Sequence, residues 1–356
     1  MDSSLVSYLL RRLLWVPLIL FVVSFVTFAL ARFGPGDPVS VAAGQFRDPE
    51  VLDRIRHARG LDKPFYEQYW IYVKNAARGD LGESYRYKDR KVTEVIFPAI
   101  WRSFQLNSVA LVITLGLGIP LGVFAARRQG TWADPASIGS FLLIQSIPGL
   151  ILVPFLLLAF ALKLGWLPAS GWPRDCSVAI GLLGESYKCI GIAHTYYEIP
   201  ISWRFLVPVD FAIPVIGMSR EVMIPIIALS LPAVASWARY TRAFTLGVLR
   251  EDYVRTARAK GVSETTVMTR HVLRNALLPL STLVAFAMVG LLEGSFFVET
   301  LTGIPGVGRL AFESIGSRDY DMIMAITLLG SSSFVLASIF IDVAYTFIDP
   351  RIRYGA

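Results

Sequence analysis

Six long apolar stretches constrain the fold of this 356-residue chain more than any other feature. A helix needs about 20 mostly apolar residues to cross the hydrocarbon core of a membrane, and each stretch reaches roughly that length. The stretches cover residues 13–31, 104–126, 138–162, 222–246, 277–298 and 322–347. With 54% hydrophobic and only 17% charged residues, the chain is too apolar for a soluble domain. We therefore predict an all-α integral membrane protein with six transmembrane helices.

Basic residues beside these stretches predict the orientation of the chain. They cluster at Arg11 and Arg12, at Arg127 and Arg128, between residues 239 and 274, and at Arg351 and Arg353. In a six-span chain all four clusters fall on one side, and cytoplasmic loops carry the excess of Lys and Arg. Both termini are therefore expected in the cytoplasm. No basic-aromatic module accompanies the net charge of +7, so nucleic-acid binding is not expected.

The predicted spans divide the chain into four parts. These are the N-terminus with the first helix (1–33), an extracytoplasmic helical subdomain (34–103), a five-helix core (104–348) and a cytoplasmic tail (349–356). The core contains an extracytoplasmic loop, 163–221, and a cytoplasmic loop, 247–276. Within the subdomain, helical spacing of residues on either side of Gly60 and Pro64 predicts two short helices.

The extracytoplasmic loop of the core contains both cysteines of the chain, Cys176 and Cys189. If this loop faces an oxidising compartment, the two can form a disulfide that closes a small loop. Two free thiols are the alternative that the sequence leaves open. The three histidines, His57, His194 and His271, all fall in predicted loops, and no metal site is expected.

A basic stretch, TARAKGVSETTVMTRHVLRNALLP, begins in the cytoplasmic loop at residue 256. Gly261 suits the left-handed position after a helix, and Ser263 offers a side-chain oxygen to cap a second helix. The apolar face of that second helix comprises Val267, Met268 and Val272. Two interpretations follow from these residues: an amphipathic loop at the membrane surface, or a helix–glycine–helix unit that inserts into a cytoplasmic partner.

The sequence DYVRTARAKGVSETTVMTRHVLRNALLPL resembles the coupling segment of permease subunits in binding-protein-dependent ABC importers. Within them it is similar to the first (B-type) permease of the dipeptide/oligopeptide/nickel group. A Glu-Ala-Ala-x-x-x-Gly motif marks this region of the family. Gly261 stands at the motif glycine and Arg255-Thr256-Ala257 at the triplet, so the glutamate is absent. Arg274 replaces the usual proline, and both departures are typical of the first peptide permease.

The same resemblance extends over nearly the whole chain. It includes RRLLWVPLILFVVSFVTFALARFGPGDPV at the first span, GLDKPFYEQYWIYVKNAARGDLGESY in the outer subdomain, VETLTGIPGVGRLAFESIGSRDY after the fifth span, and FIDPRIRYG at the C-terminus. It is weakest over residues 170–216.

This resemblance implies the type I ABC importer permease fold in the cytoplasmic (inner) membrane of a prokaryote. It implies a subunit that translocates short peptides delivered by an extracytoplasmic binding protein. Its further partners would be a second, homologous permease, two ABC ATPase subunits and membrane lipid. The residues expected to couple to the ATPases are Arg255, Thr256, Ala257, Arg258, Ala259, Lys260, Gly261, Val262, Ser263, Val267 and His271.

ATP chemistry is expected in the partner chains only. The sequence has no Gly-x-x-x-x-Gly-Lys-Ser/Thr motif, so it is predicted to be a transport subunit and not an enzyme. ATP and Mg would bind to the ATPase subunits, and no cofactor is expected in this chain.

Three polar residues are candidates for the substrate pathway. Glu293 is the one acid well inside a predicted span, where it could offer a carboxylate to a substrate amino group. Alternatively it lies near the outer end of the helix, solvated or paired with Arg309. Gln145 and Ser146, just before Pro148, either line the pathway or satisfy backbone groups beside a helix kink.

The cargo has several alternatives within the importer class: nickel, glutathione-like peptides, haem or oligosaccharides. An ATP-independent channel or secondary transporter is the alternative from another class. Such a transporter would be expected to have paired intramembrane charges and inverted repeats, and neither is evident in the sequence.

Overall fold

The computed structural model of the chain describes residues 3–33, 48–58, 60–87, 90–172, 177–179, 186–188 and 220–348. Twelve helices occur in these described residues. They are α1 (Ser3–Phe33), α2 (Pro49–Ala58), α3 (Phe65–Ala76), α4 (Val92–Arg127), α5 (Ala133–Gln145), α6 (Gly149–Lys163), α7 (Arg220–Leu249), α8 (Asp252–Ala259), α9 (Glu264–Leu292), α10 (Phe296–Thr302), α11 (Val307–Ser317) and α12 (Tyr320–Ile348). The end of α6 (Leu157–Lys163) and an early part of α9 (Val267–Leu273) have π-helical geometry.

Five helices are long and apolar enough to cross a membrane. Their spanning parts are Arg12–Phe33, Val92–Arg127, Arg220–Leu249, Glu264–Leu292 and Tyr320–Ile339. The pair α5 and α6 supplies a sixth span if the two helices are counted together. The helical membrane class and the prediction of six spans are therefore confirmed, with one span broken.

The broken span corrects the prediction of one continuous helix over residues 138–162. α5 ends at Gln145, α6 begins at Gly149, and the two helices are bent by 91°. Pro148 explains the position of the break, because proline has no N–H to donate and disfavours helical geometry in the residue before it. Pro148 itself is extended, with φ −61° and ψ 141°.

The fifth span also differs from its prediction over residues 277–298. The helix begins earlier, at Glu264, and ends at Leu292, and α10 follows as a separate helix. Glu293 therefore lies in the turn after the span. The sequence had suggested a position well inside the span. Gly294 in this turn has φ +71°, a conformation that L side chains rarely adopt, so the helix cannot continue through it.

The chain forms two compact units. The first comprises Met1–Ser103, Leu292–Phe296 and Gly306–Ala356, and the second comprises Phe104–Leu291 and Phe297–Pro305. The predicted extracytoplasmic subdomain, 34–103, thus belongs to the same unit as α1 and α12. Both short helices predicted around Gly60 are present, as α2 and α3.

In the first unit, a buried carboxylate attaches residues 84–86 to the start of α12. Asp319 is fully buried and accepts hydrogen bonds from the Ser84 hydroxyl and from the backbone N–H of Arg86. It also accepts one from the backbone N–H of Met322, at 3.3 Å, and so caps the N-terminus of α12.

In the second unit, two glycines allow α4 to approach α7 closely. A Cβ atom added to Gly118 would lie 2.8 Å from Trp237 Cβ, and one added to Gly122 would lie 2.5 Å from Thr241 Cβ. The two glycines are four residues apart, on one face of α4, as in the small-xxx-small pattern of membrane helices. Arg242 of α7 also binds Asp134 of α5, with an Nη2–Oδ1 distance of 2.6 Å.

Two three-residue strands form a small hairpin in the long loop before α7. Ser177–Ala179 pairs antiparallel with Ser186–Lys188, and Val178 lies opposite Tyr187. The sequence did not predict these strands, which leave the helical class unchanged. Cys176 and Cys189 lie outside the described residues, so their disulfide stays a prediction.

Candidate coupling site

α8 and the start of α9 form the helix–glycine–helix unit that the sequence predicts. Gly261 follows α8 with φ +76°. Its N–H donates to the carbonyl of Arg258 at 2.9 Å, and the N–H of Val262 donates to the carbonyl of Ala257 at 3.3 Å. This is the Schellman arrangement, which satisfies the last carbonyls of a helix and requires a left-handed residue after it. The role of Gly261 as a helix terminator is confirmed.

The underside of this unit is a buried aliphatic cluster. Its buried members are Val254, Ala257, Val267, Met268 and Val272. Val123 of α4, together with Val248 and Leu249 of α7, packs against them. The apolar face predicted for the second helix is therefore present. Because the cluster includes the ends of α4 and α7, the unit rests on two helices that cross the membrane.

Burial divides the eleven predicted coupling residues into three groups. Ala257 is 8% exposed and Val267 is fully buried, so neither can contact a partner in this conformation. Val262 and His271 are half-buried. The exposed members are Arg255, Thr256, Arg258, Ala259, Lys260, Gly261 and Ser263. The accessible surface is therefore dominated by α8 and by the glycine turn.

A bidentate ion pair bridges that turn. Arg258 Nε lies 3.1 Å from Glu264 Oε2, and Arg258 Nη2 lies 2.7 Å from Glu264 Oε1. The hydrogen bonds to Glu264 raise the pKa of Arg258 above its usual value. Both side chains are largely exposed, so the pair adds less than about 1 kcal/mol of stability and mainly orients the two helices. The sequence analysis missed this pair, although opposite charges on both sides of a helix-ending glycine were a usable signal.

Ser263 does not cap α9 in the predicted manner. The residue precedes the helix and is extended, but its hydroxyl makes no capping bond to the backbone. Its Oγ lies 2.9 Å from Thr266 Oγ1, with which it shares a hydrogen bond. A nearby hydroxyl has therefore replaced the backbone N–H as its partner.

A second polar contact ties α8 to the π-helical part of α9. Asn275 Nδ2 donates both to Tyr253 Oη and to the carbonyl of His271, each at 2.8 Å. π turns within helices are frequent at functional sites. α9 continues through this turn into the fifth span, so the second helix of the unit and that span are one element.

The structure describes all three pathway candidates. Gln145 is the last residue of α5, at the 91° bend, and its Oε1 is buried with no hydrogen-bond partner among the described residues. The Ser146 hydroxyl donates to the carbonyl of Leu142 at 2.6 Å, so it satisfies a backbone group. Both residues belong to the second unit.

Glu293 belongs to the first unit, where it borders a cavity of about 470 Å³. Apolar side chains of α1, α4 and α12, such as Ile19, Ile96 and Leu329, form most of its wall. Ser331 and Ser333 also border it. Glu293 is exposed in the chain.

Two family models match the chain. Residues 118–354 match the binding-protein-dependent transport system inner membrane component, and residues 5–113 match the N-terminal part of the same membrane component. The chain belongs to this family. It is therefore a multi-pass inner-membrane permease subunit with the type I importer fold, as the resemblance implied.

Curated relatives match over almost the full length. The dipeptide transport system permease protein DppB of Alkalihalophilus pseudofirmus is 34% identical over 350 residues, which is 98% of this chain and 100% of that protein. The glutathione transport system permease protein GsiC of Shigella flexneri is 35% identical with the same coverage. The oligopeptide transport system permease protein OppB of Haemophilus influenzae is 31% identical, again with the same coverage.

Proposed function

We propose that this permease translocates short peptides and that ATPase subunits drive it through the coupling unit, residues 252–272. The names of the similar permeases support the cargo, since they specify a dipeptide, glutathione and an oligopeptide. The geometry of the coupling unit supports the mechanism.

One observation carries the mechanism: the coupling unit is exposed on one side and continuous with the membrane helices on the other. α8 presents charged side chains above a buried cluster that includes the ends of α4 and α7. α9 runs without interruption from Glu264 to Leu292. A displacement of α8 would therefore move three membrane-crossing helices together, because packed interiors transmit strain.

The partners follow from this arrangement. Two ATPase subunits would bind ATP and Mg and contact α8 in the cytoplasm, where both termini of the permease would also lie. A second, homologous permease would complete the pathway, and an extracytoplasmic binding protein would deliver the peptide. Gln145, Ser146 and Glu293 are proposed pathway residues, with the Glu293 carboxylate available to a peptide amino terminus.

A substitution at Gly261 tests the coupling role. Gly261→Val forces a β-branched residue into a positive-φ conformation, at a cost of more than about 1 kcal/mol. The control is Gly247→Ala, at an exposed position in the last turn of α7, where an added Cβ meets no atom within 4 Å. In the reconstituted complex, we expect Gly261→Val to abolish ATP hydrolysis stimulated by the binding protein, and Gly247→Ala to retain it. Unchanged stimulation in Gly261→Val would refute the coupling role.

Transport in proteoliposomes tests the cargo separately. The complete importer, reconstituted with its binding protein, is offered a labelled dipeptide, glutathione or nickel. We expect ATP-dependent accumulation of the dipeptide. Uptake of nickel with no uptake of either peptide would exclude the proposed cargo but leave the coupling role intact.

A further inference from the structure

α3 packs along one end of α1 through a set of aromatic side chains. Tyr69, only 7% exposed, donates from its hydroxyl to the carbonyl of Phe21 at 3.2 Å. The same hydroxyl lies 2.9 Å from Ser24 Oγ. The Tyr69 ring meets the Phe25 ring edge to face, with centroids 5.3 Å apart. These contacts fix α3 against α1 at several points.

The contacts place α3 at the depth of the membrane boundary. The spanning part of α1 ends at Phe33, and the Phe33 ring lies 5.2 Å from the ring of Phe65, the first residue of α3. From this level the Tyr69 side chain reaches Ser24, nine residues and about 13.5 Å further into the span, which is close to the middle of a hydrocarbon core about 30 Å thick. The cluster around Tyr69 also includes Met324 and Tyr320, which belong to the first turns of the α12 span. α3 therefore cannot stand clear of the bilayer.

Two large aromatic residues of α3 are left uncovered by this packing. Tyr66 is 74% exposed and Trp70 is 68% exposed. They are four residues apart, so they share one face of the helix. At 100° per residue, this face is centred about 100° from the stripe that contacts α1. The apolar side of α3 is thus wider than α1 can cover.

The rest of the circumference is polar apart from Ile71, which is 38% exposed, and Asn75 lies almost opposite the aromatic pair. Lys74 and Glu67 follow beyond the aromatic pair, and Gln68 lies beyond them. Gln68 Nε2 donates to the carbonyls of Leu61 and Lys63 and so closes the turn before the helix. A helix with an apolar side and a charged side at this depth has the pattern of an interfacial membrane helix.

The uncovered aromatic face continues the apolar surface of α1. Phe25 contacts both Phe65 and Tyr69 and is still 40% exposed. Exposed apolar side chains of a spanning helix are covered by lipid unless another protein covers them. Trp and Tyr are enriched at the membrane–water boundary, where an apolar ring and a polar group each find a suitable medium.

We propose that α3 lies in the boundary region of the bilayer and that Tyr66 and Trp70 insert between lipid molecules. With the orientation proposed above, this is the outer leaflet. The outer helical segment is then attached to the membrane surface and does not project freely into water. The inference goes beyond the proposed transport function and depends neither on the cargo nor on ATPase coupling.

Spin labels on the complete importer in liposomes test this inference. Trp70→Cys carries a nitroxide in a chain whose native cysteines, Cys176 and Cys189, are replaced by serine. The matched control is Asn75→Cys, which lies about 140° around the helix from Trp70, on the polar side. We expect the label at position 70 to collide preferentially with oxygen, which partitions into lipid. We expect the label at position 75 to collide preferentially with a water-soluble nickel chelate.

Two outcomes would overturn the inference. Preference for the nickel chelate at position 70 would mean that the aromatic face is in water. Protection of position 70 from both reagents would mean that another protein covers it, such as the second permease or the binding protein.

A second measurement avoids the cysteine replacements. Tryptophan emission of the wild type minus that of Trp70→Phe isolates Trp70 among the eight tryptophans. We expect this difference emission to be lost in liposomes whose lipids carry bromine near the headgroup and to persist in unbrominated lipid. Equal difference emission in both lipids would contradict lipid contact.

Discussion

The outer helix pair, α2 and α3, and the coupling pair, α8 and α9, share one local design. In both, a helix ends at a glycine with positive φ, +63° at Gly60 and +76° at Gly261. The backbone bonds after Gly60 repeat those after Gly261: the Gly60 N–H donates to the carbonyl of His57, and the Leu61 N–H to that of Arg56. A side-chain contact to a carboxylate bridges each turn, and in the outer pair it joins His57 Nδ1 to Asp62 Oδ2 at 2.8 Å.

The two pairs differ in what covers their apolar sides and in what they expose. The aliphatic side chains of the coupling pair pack against the ends of α4 and α7, and the exposed side chains of this pair are mostly charged or small. The outer pair uses aromatic rings along the side of a spanning helix and leaves Trp70 uncovered. The same glycine-ended turn therefore occurs in two different environments. The side chains around the turn determine which surroundings each helix pair contacts.

The largest expected effect comes from a charge placed under the coupling pair. Val267→Asp buries a carboxylate among aliphatic side chains, which costs several kcal/mol, so α8 should detach from α9. We expect the ATPase subunits to be lost on copurification. The control is Thr269→Asp, at an exposed position two residues away, which should retain them. Equal retention by both variants would show that the buried cluster does not hold the docking surface.

The corresponding change in the outer pair should affect stability and not coupling. Tyr69→Ala removes a buried aromatic ring and two hydroxyl contacts, at a cost of about 3 kcal/mol. We expect faster hydrogen exchange in α3 with ATPase assembly unchanged. Lys74→Ala, at an exposed position on the same helix, should leave exchange in α3 close to that of the wild type. Loss of ATPase assembly in Tyr69→Ala would show that the outer pair, like the coupling pair, affects assembly with the ATPases.

The two glycines give the most direct comparison, with a smaller effect. An added Cβ at Gly60 makes only an ordinary contact with the Lys63 side chain at 3.8 Å, and one at Gly261 meets no atom within 4 Å, so each Ala variant is strained only through its positive φ, by about 1 kcal/mol. We expect ATP hydrolysis stimulated by the binding protein to fall in Gly261→Ala and to stay unchanged in Gly60→Ala. A similar fall in both would indicate a general loss of stability.

The smallest effect is expected from the ion pair across the coupling turn. Glu264→Gln removes the charge that binds Arg258, and exposed pairs of this kind contribute less than about 1 kcal/mol. We expect stimulated ATP hydrolysis to change less than about fivefold, with no loss of assembly. The comparison is Asp62→Asn in the outer pair, which should not affect hydrolysis at all. A complete loss in Glu264→Gln would mean that the carboxylate itself contacts a partner.

Much of the coupling unit could be predicted because its signals are local. Gly261 ends a helix for reasons contained in its own backbone, and the spacing of Val267, Met268 and Val272 defines a face within two helical turns. The partners of Ser263 and Arg258 were not predictable in the same way. Each had several hydrogen-bonding groups within reach, and only the angle between α8 and α9 selects among them.

The spans show the same division. Hydropathy located six apolar stretches, and Pro148 marked a kink. The size of the bend, 91°, could not be predicted, because it depends on how α5 and α6 pack in the folded chain. The position of Glu293 was misjudged because the apolar residues on both sides of it form one stretch in the sequence, which was interpreted as a single span. The glycine turn at Gly294 ends the helix just before α10.

The sequence by itself determined the membrane class, the number of spans, the family and the glycine-ended helices. These depend on composition and on backbone preferences within a few residues. Only the tertiary structure decided that Ala257 and Val267 are buried and that Arg258 binds Glu264. It also decided that α3 lies against the side of α1 with Trp70 uncovered. These contacts depend on the distances and angles between packed helices, which the spacing of residues in the chain does not fix.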